Sequence, residues 1–277
     1  MNKYLFLILI SVVSATASFA QDRAFAYTYQ TNVLNKGDID LEFHNTFKSG
    51  KVGEYSPYVF GQSLEQRLEL EFGLGHKVQT AFYLNSELFH FADTSSTEIN
   101  QELKISFSNE WKWKLSDPVA NRIGFGLYGE LELGGSNVEF EAKILLDKKL
   151  PNDLFAFNIV GKYEIEKEIS RTDNITKAEW THNSPIEFYF GYMHFFKPQF
   201  SLGIEAKNNN DITKENGWIN SVVFAGPALH VSIGKCFILL SILPQLSNLH
   251  KTESAPGNMD YNDFEKLEVR ILTGYSF

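Results

Sequence analysis

From residue 38 onward, apolar and polar positions alternate with period two, in run after run. In the first run Ile39, Leu41 and Phe43 share one face, and Asp40, Glu42 and His44 share the other. In the second, Leu64, Leu68, Leu70 and Phe72 oppose Glu65, Arg67, Glu69 and Glu71. Leu103, Ile105, Phe107, Trp111 and Trp113 oppose Lys104, Ser106, Ser108, Lys112 and Lys114. Further along, Glu130 with Glu132, Glu139 with Glu141, and Lys162 with Glu164 hold the polar sides of three more runs. Strict alternation marks strands with one apolar face. The runs predict twelve strands, near 38–47, 63–72, 77–88, 100–115, 123–133, 137–146, 154–166, 178–196, 200–207, 220–233, 236–244 and 265–277. An even number returns the chain to the side it started from, as a closed bacterial barrel requires. The expected fold class is therefore all-β: an antiparallel transmembrane β-barrel of about 12 strands.

The connections predict an orientation. Gly73–His76, Lys197–Gln199 and Gly234–Lys235 are tight turns on one side. Gly50–Gly61, Glu168–Lys177, Asn208–Gly217 and Ser247–Asp263 are long polar loops on the other. Short periplasmic turns with longer outer loops are the usual asymmetry of such barrels. A soluble sandwich or a lipocalin-like barrel would alternate equally well. The aromatic positions separate these readings. Phe72, Trp111, Trp113, Phe125, Phe155, Phe157, Tyr192, Phe200, Phe237, Tyr275 and Phe277 all fall near the end with the tight turns. A girdle at one rim suits a membrane interface, where amphipathic rings settle at the headgroups.

Three segments resist the pattern. Pro185, Pro227 and Pro244 fall inside predicted strands, where each removes a ladder donor. The run 236–244 is apolar on both faces, so its register is not readable. Residues 22–37 alternate briefly through Phe25-Ala-Tyr-Thr-Tyr29 and fit either a periplasmic lead or part of the first strand.

Composition narrows the class. A mean hydropathy of −0.21 is too polar for a bundle of membrane helices. The 43% hydrophobic and 14% aromatic content excludes a disordered chain. A formal net charge of −9 disfavours nucleic acid as a partner. One cysteine leaves no disulfide framework and no cysteine-based zinc site. Residues 1–20 read as a secretory signal: Lys3, then the short apolar run Leu5–Val13, then Ser18-Phe19-Ala20 before Gln21. The expected division is a signal peptide over 1–20 and an outer-membrane barrel over 21–277. The expected location is the bacterial outer membrane of a Gram-negative cell, after cleavage of that signal.

Leu267, Val269, Ile271, Thr273, Tyr275 and Phe277 share one face of the closing run. A last strand ending in Phe resembles the outer-membrane signal read by the barrel-assembly machinery. That resemblance implies the assembly machinery as a partner, through the Phe277 end, with outer-membrane lipid around the wall. The opening stretch, Phe25-Ala-Tyr-Thr-Tyr29 followed by Lys36-Gly37-Asp38-Ile39-Asp40-Leu41-Glu42, is similar to the start of the "MetA-pathway of phenol degradation" group of barrels. Transport of small organic compounds is what that second resemblance implies, and it carries over no functional residue.

The candidate chemistry lies on the polar face. Glu42, Glu65, Arg67, Glu69, Glu71, Lys104, Glu130, Glu132, Glu139, Glu141, Lys162 and Glu164 are the expected lumen lining. Phe72, Trp111, Trp113, Tyr192, Tyr275 and Phe277 are the expected aromatic girdle. Such a lumen either cross-links its strands through ion pairs or lines a wet path that favours cations, and few of its surplus acids have an obvious partner. Catalysis has little support. His44 and His230 face inward by parity, His90, His182 and His250 sit near the outer loops, and nothing in the sequence places Ser86 or Ser184 beside a histidine. No phosphate loop and no metal-spaced histidine cluster is visible, so no cofactor and no metal are expected. The expected function is a passive channel for small solutes with an acidic lumen, and not an enzyme. The rival is a closed structural or surface-binding barrel acting through its loops, and a lipid-modifying membrane enzyme stands further back.

Overall fold

A computed structural model describes residues 23–51, 61–92, 99–172, 175–213, 217–252 and 255–277. The signal segment expected over 1–20 lies outside the described residues. Thirteen strands follow in chain order: β1 (Ile39–Lys51), β2 (Gly61–Gly75), β3 (Val78–Ala92), β4 (Ile99–Ser116), β5 (Gly124–Gly134), β6 (Asn137–Lys149), β7 (Asp153–Thr172), β8 (Ile175–Asn183), β9 (Ile186–Lys197), β10 (Phe200–Thr213), β11 (Gly217–Ile233), β12 (Cys236–Asn248) and β13 (Leu267–Ser276). Every neighbouring pair is antiparallel, and β13 pairs with β1 from Asp40↔Ser276 to Ser49↔Leu267. That ladder joins the two ends of the sheet and closes it into a barrel. β8 and β9 are two halves of one barrel strand, since both pair with β7. Pro185, which has no N–H to donate, stands at the break between them. The wall is a closed twelve-strand antiparallel barrel.

The other two prolines mark a second fault. Pairing of β11 with β12 runs from Val222↔Asn248 to Phe224↔Gln245 and resumes at Ala228↔Ser241. Pro227 and Pro244 lie in this gap, on opposite sides of the ladder. Gly226 lets the strands stay close there, because a Cβ on it would meet the Ile242 carbonyl oxygen at 1.9 Å.

Both ends of the barrel have a physical signature. At one end, two-residue hairpins join β2 to β3, β9 to β10 and β11 to β12. The first is closed by Gly75↔Val78, with His76 at φ 53° and Lys77 at φ 64°. Positive φ at both central residues is what lets a two-residue turn follow the twist of its strands. In the turn after β4, the Asp117 carboxylate accepts from Lys114 and from the Val119 and Ala120 N–H groups. These donors hold its pKa well below the usual carboxylate range. At the opposite end the strands run further than the alternation predicts. β7 and β10 extend to Thr172 and Thr213, so most of the expected loops 168–177 and 208–217 are strand. Of the long loops only 249–266 remains irregular among the described residues.

Curvature decides which face is inside. Asp40, Glu42, His44, Thr46, Glu69, Glu71, Glu110, Lys112, Asn158, Glu205 and Glu268 are buried within the bore. Leu68, Phe82, Leu84, Leu103, Ile105, Phe107, Leu131, Phe140, Ile204 and Ile271 stand exposed on the outer wall. A water-soluble barrel places these faces the other way round. An outer wall this apolar is the surface of a membrane barrel.

Candidate functional site

The bore is neither empty nor filled by wall side chains alone. Residues 23–34, ahead of β1, fold back into it, and Ala24 to Thr31 are each at most 7% exposed. The wall side chains they bind sit in the half of the strands nearest the tight turns. Glu205 accepts the backbone N–H groups of Ala26, Tyr27 and Thr28 at 3.1, 3.0 and 2.7 Å. Asn158 accepts from the Tyr29 N–H and donates to the Tyr29 carbonyl, at 2.7 and 2.8 Å. Asp147 accepts from the N–H and the hydroxyl of Thr31, and Gln79 accepts from the Leu34 N–H. Arg23 donates to Glu42 at 2.8 Å. A buried irregular segment must place its backbone donors somewhere. Here the wall supplies carboxylates and amides in their place.

Apolar contacts seat the same segment. Ala24 and Phe25 pack with Leu154, Ala156, Met193 and Ala228. Ala26 and Tyr27 pack with Val222, Phe224, Phe237, Leu239, Leu243 and Leu272. Tyr29 meets Tyr128 edge-on at 5.1 Å. Gly191 is required where it is, because a Cβ there would lie 2.6 Å from the Phe25 ring. Residues 23–34 therefore form a plug, a role that their brief alternation does not reveal.

Above the plug lies a polar cavity of about 390 Å³, with Tyr27 and Tyr29 in its floor. Of the twelve expected lumen residues, Glu65, Arg67, Lys104, Glu130, Glu132, Glu139, Glu141, Lys162 and Glu164 line it. Glu42, Glu69 and Glu71 are buried lower down, beside the plug. Ten glutamates border the cavity, against seven lysines and arginines. The expectation that few acids have partners needs correction. Glu65 pairs with Lys48, Glu130 with Arg67, Glu141 with Lys143 and Lys162, Glu166 with Lys104, and Glu268 with Lys207. Glu141 and Lys143 are neighbours on one face of β6, but cross-strand register and reach around the bore made the other pairs, and alternation along one strand carries neither.

The girdle residues also sort by face. Trp111, Trp113, Tyr275 and Phe277 are exposed on the outer wall, with Phe72 and Tyr192 partly so. Trp111 and Trp113 stack at 6.2 Å, and Tyr275 meets Phe277 at 5.0 Å. Phe237, expected with them, points inward against the plug. Tyr163, Trp180 and Trp218 are exposed near the opposite end, so aromatic rings are not confined to one rim.

Of the histidines, His44 and His230 are buried in the bore as parity implied. His182 accepts or donates at Tyr163 Oη, 3.1 Å away, and His250 stacks on Trp218 at 4.5 Å. The structure also brings Glu42, His44 and Glu69 within 4.8 Å of one another, a metal-compatible group that linear spacing did not show.

A closed, plugged, polar-lined barrel with an apolar wall belongs to the outer-membrane β-barrel class. The translocator domain of the autotransporter NalP from Neisseria meningitidis is similar, with TM-score 0.57 and 10% identity over 89% of this chain and 91% of that one. So is the beta domain of the Bordetella autotransporter BrkA, with TM-score 0.58 and 9% identity over 88% of this chain and 100% of that one. The COG4313 outer membrane channel from Pseudomonas putida F1 gives TM-score 0.57 and 11% identity over 89% of this chain and 98% of that one. At such identities the likeness is one of fold. No curated protein matches the chain. Residues 17–277 match the family of unknown function DUF6662, and the chain belongs to that family.

Proposed function

We propose that this protein is an outer-membrane channel for small solutes, held shut by residues 23–34. One observation carries the reading: the plug is gripped through polar side chains that water can replace. Glu205, Asn158, Asp147 and Gln79 hold its backbone, and none of these bonds is covalent or part of the wall ladder. The cavity beyond it is already polar and leads to the loop end, where the Lys104 side chain is half exposed. The fold likeness to an outer membrane channel supports the same reading. The similarity of Phe25–Tyr29 to the phenol-degradation barrels makes small organic compounds the solutes to try first. A permanently closed barrel is the second reading. It is favoured by the apolar seat of Phe25 against Leu154, Ala156 and Met193.

An acidic path makes the open channel cation-selective, because fixed carboxylates repel anions in a narrow bore. Glu132, Glu139 and Glu164 are the residues to neutralise, since they form no ion pair among the described residues and line the cavity. In a variant lacking residues 23–34, glutamine at these three positions should move the reversal potential in a salt gradient toward zero. An anion-selective barrel, or a potential that the substitutions leave unmoved, removes the acidic path. A variant lacking the plug that assembles and still conducts nothing ends the channel reading.

The tight turns face the periplasm in this reading. A tag inserted at the exposed Gly257, in the 249–266 loop, is then expected to be reached by antibody on intact cells. Labelling only after permeabilisation would reverse the orientation.

A further inference from the structure

Beside the plug, the bore holds a side-chain cluster that the channel reading leaves unused. Glu42 and His44 are successive inward residues of β1, and Glu69 of β2 lies directly opposite Glu42. All three are buried. His44 Nε2 lies 3.0 Å from Glu42 Oε2 and 3.1 Å from Glu69 Oε2. A single ring nitrogen carries at most one proton, so it cannot donate fully to both carboxylates. Glu42 Oε1 has no hydrogen-bond partner, and Glu69 Oε2 has beside it the one His44 nitrogen that Glu42 already shares. Buried acceptors left in this way are costly, and an ion is one of the few things that accounts for them.

We propose that Glu42, His44 and Glu69 bind a divalent transition-metal cation of the zinc class. The donor set is one imidazole nitrogen and two carboxylate oxygens, all within 4.8 Å of one another. Zinc bonds of about 2.0–2.2 Å place tetrahedral donors about 3.3–3.6 Å apart, so the 3.0 and 3.1 Å from His44 Nε2 to the two carboxylates need only a small expansion. Two carboxylates match the charge of a dication. The imidazole selects against calcium and magnesium, which take oxygen shells. His44 also borders the cavity above, while Glu42 and Glu69 lie below it, so an ion arriving through the acidic cavity meets His44 first.

Arg23 gives the site a distinguishing property. Its Nη1 lies 2.8 Å from Glu42 Oε2, the oxygen that would face the metal. A guanidinium and a metal ion compete for that oxygen. Metal binding therefore works against the first polar anchor of the plug, and removing Arg23 favours the metal.

The inference is independent of whether the barrel conducts, and its test reads binding alone. The full chain, folded in detergent and stripped with a chelator, is titrated with Zn²⁺ by calorimetry. Folding of each variant is checked by heat-modifiable migration. One ion per chain is expected, with His44→Ala and Glu69→Gln each weakening it by at least about tenfold. Arg23→Ala should tighten it, and equimolar Mg²⁺ should not displace it. No binding, binding that both His44→Ala and Glu69→Gln leave unchanged, or displacement by Mg²⁺ overturns the proposal. The near-isosteric Glu69→Gln decides the matter if His44→Ala fails to fold.

Discussion

Deleting residues 23–34 is expected to turn a barely conducting barrel into an open one, with single-channel conductance higher by on the order of tenfold. A twelve-strand barrel lies between the small barrels that wall side chains fill and the wide water-filled porins. Its bore is therefore wide enough to need a plug if it is to be shut. The plug here is the chain itself, and it donates three backbone N–H groups to Glu205 alone. Without it, Glu205, Asn158 and Asp147 revert to water, which solvates them well in an open bore. The wall ladders are untouched by the deletion, so the barrel should still assemble and still migrate as a folded species on unheated gels. A second variant leaves the plug covalently present. Gly191→Leu places a side chain where the Phe25 ring now lies, since even a Cβ would come within 2.6 Å of it. That variant should leak or flicker in planar bilayers, below the level of the deletion. Equal conductance for the intact chain and both folded variants would show that residues 23–34 do not close the bore.

How much of this was legible before the structure depends on what each signal encodes. Strand positions were legible because period two is a local property of each run. The inner face was not legible from alternation alone, which is symmetric: Glu42 and Phe43 are equally regular whichever side is wet, and the placing of the aromatic residues was what pointed to a polar bore. The closing ladder between β1 and β13 resolves it by curvature. Strand ends were underestimated beyond the apolar band, as at Asn208–Asp211, where both faces are polar and only the hydrogen-bond ladder continues.

The plug did leave a trace. The run 236–244 is apolar on both faces, which a simple water-filled lumen does not call for. Phe237, Leu239 and Leu243 face inward because Ala26 and Tyr27 lie against that wall. The same contact explains why Phe237 is not part of the outer girdle. Phe25-Ala-Tyr-Thr-Tyr29 alternates in sequence but is buried all round, so its periodicity has no structural counterpart. The Glu42, His44 and Glu69 cluster was invisible for another reason. It depends on the β1–β2 register, which sets Glu42 opposite Glu69 from 27 positions away.

Arginine on the outer wall should be strongly destabilising through its charge, and β4 offers a test within four consecutive residues. Ile105 and Phe107 are 58% and 50% exposed on the apolar face, near the middle of the wall. Phe107 sits opposite Leu84 on β3 and Leu133 on β5, so its surroundings offer no counter-charge. Arginine at a bilayer midplane costs about 2–4 kcal/mol on such a face, so Ile105→Arg and Phe107→Arg should each lower unfolding free energy in liposomes by that amount. Ser106 lines the polar cavity, and Ser106→Arg should cost far less, because glutamates already border that space. Ser108 also faces inward but differs from Ser106. It is fully buried, accepts from Asn85 and lies 3.3 Å from Glu132, so Ser108→Arg should fail through crowding rather than through charge. Ser108→Ala separates the two causes and should be tolerated to within about 1 kcal/mol, the usual net worth of a hydrogen bond. Denaturant titrations of the folded barrel measure all five. Equal sensitivity at Ile105 and Ser106 would mean that the apolar wall does not face lipid.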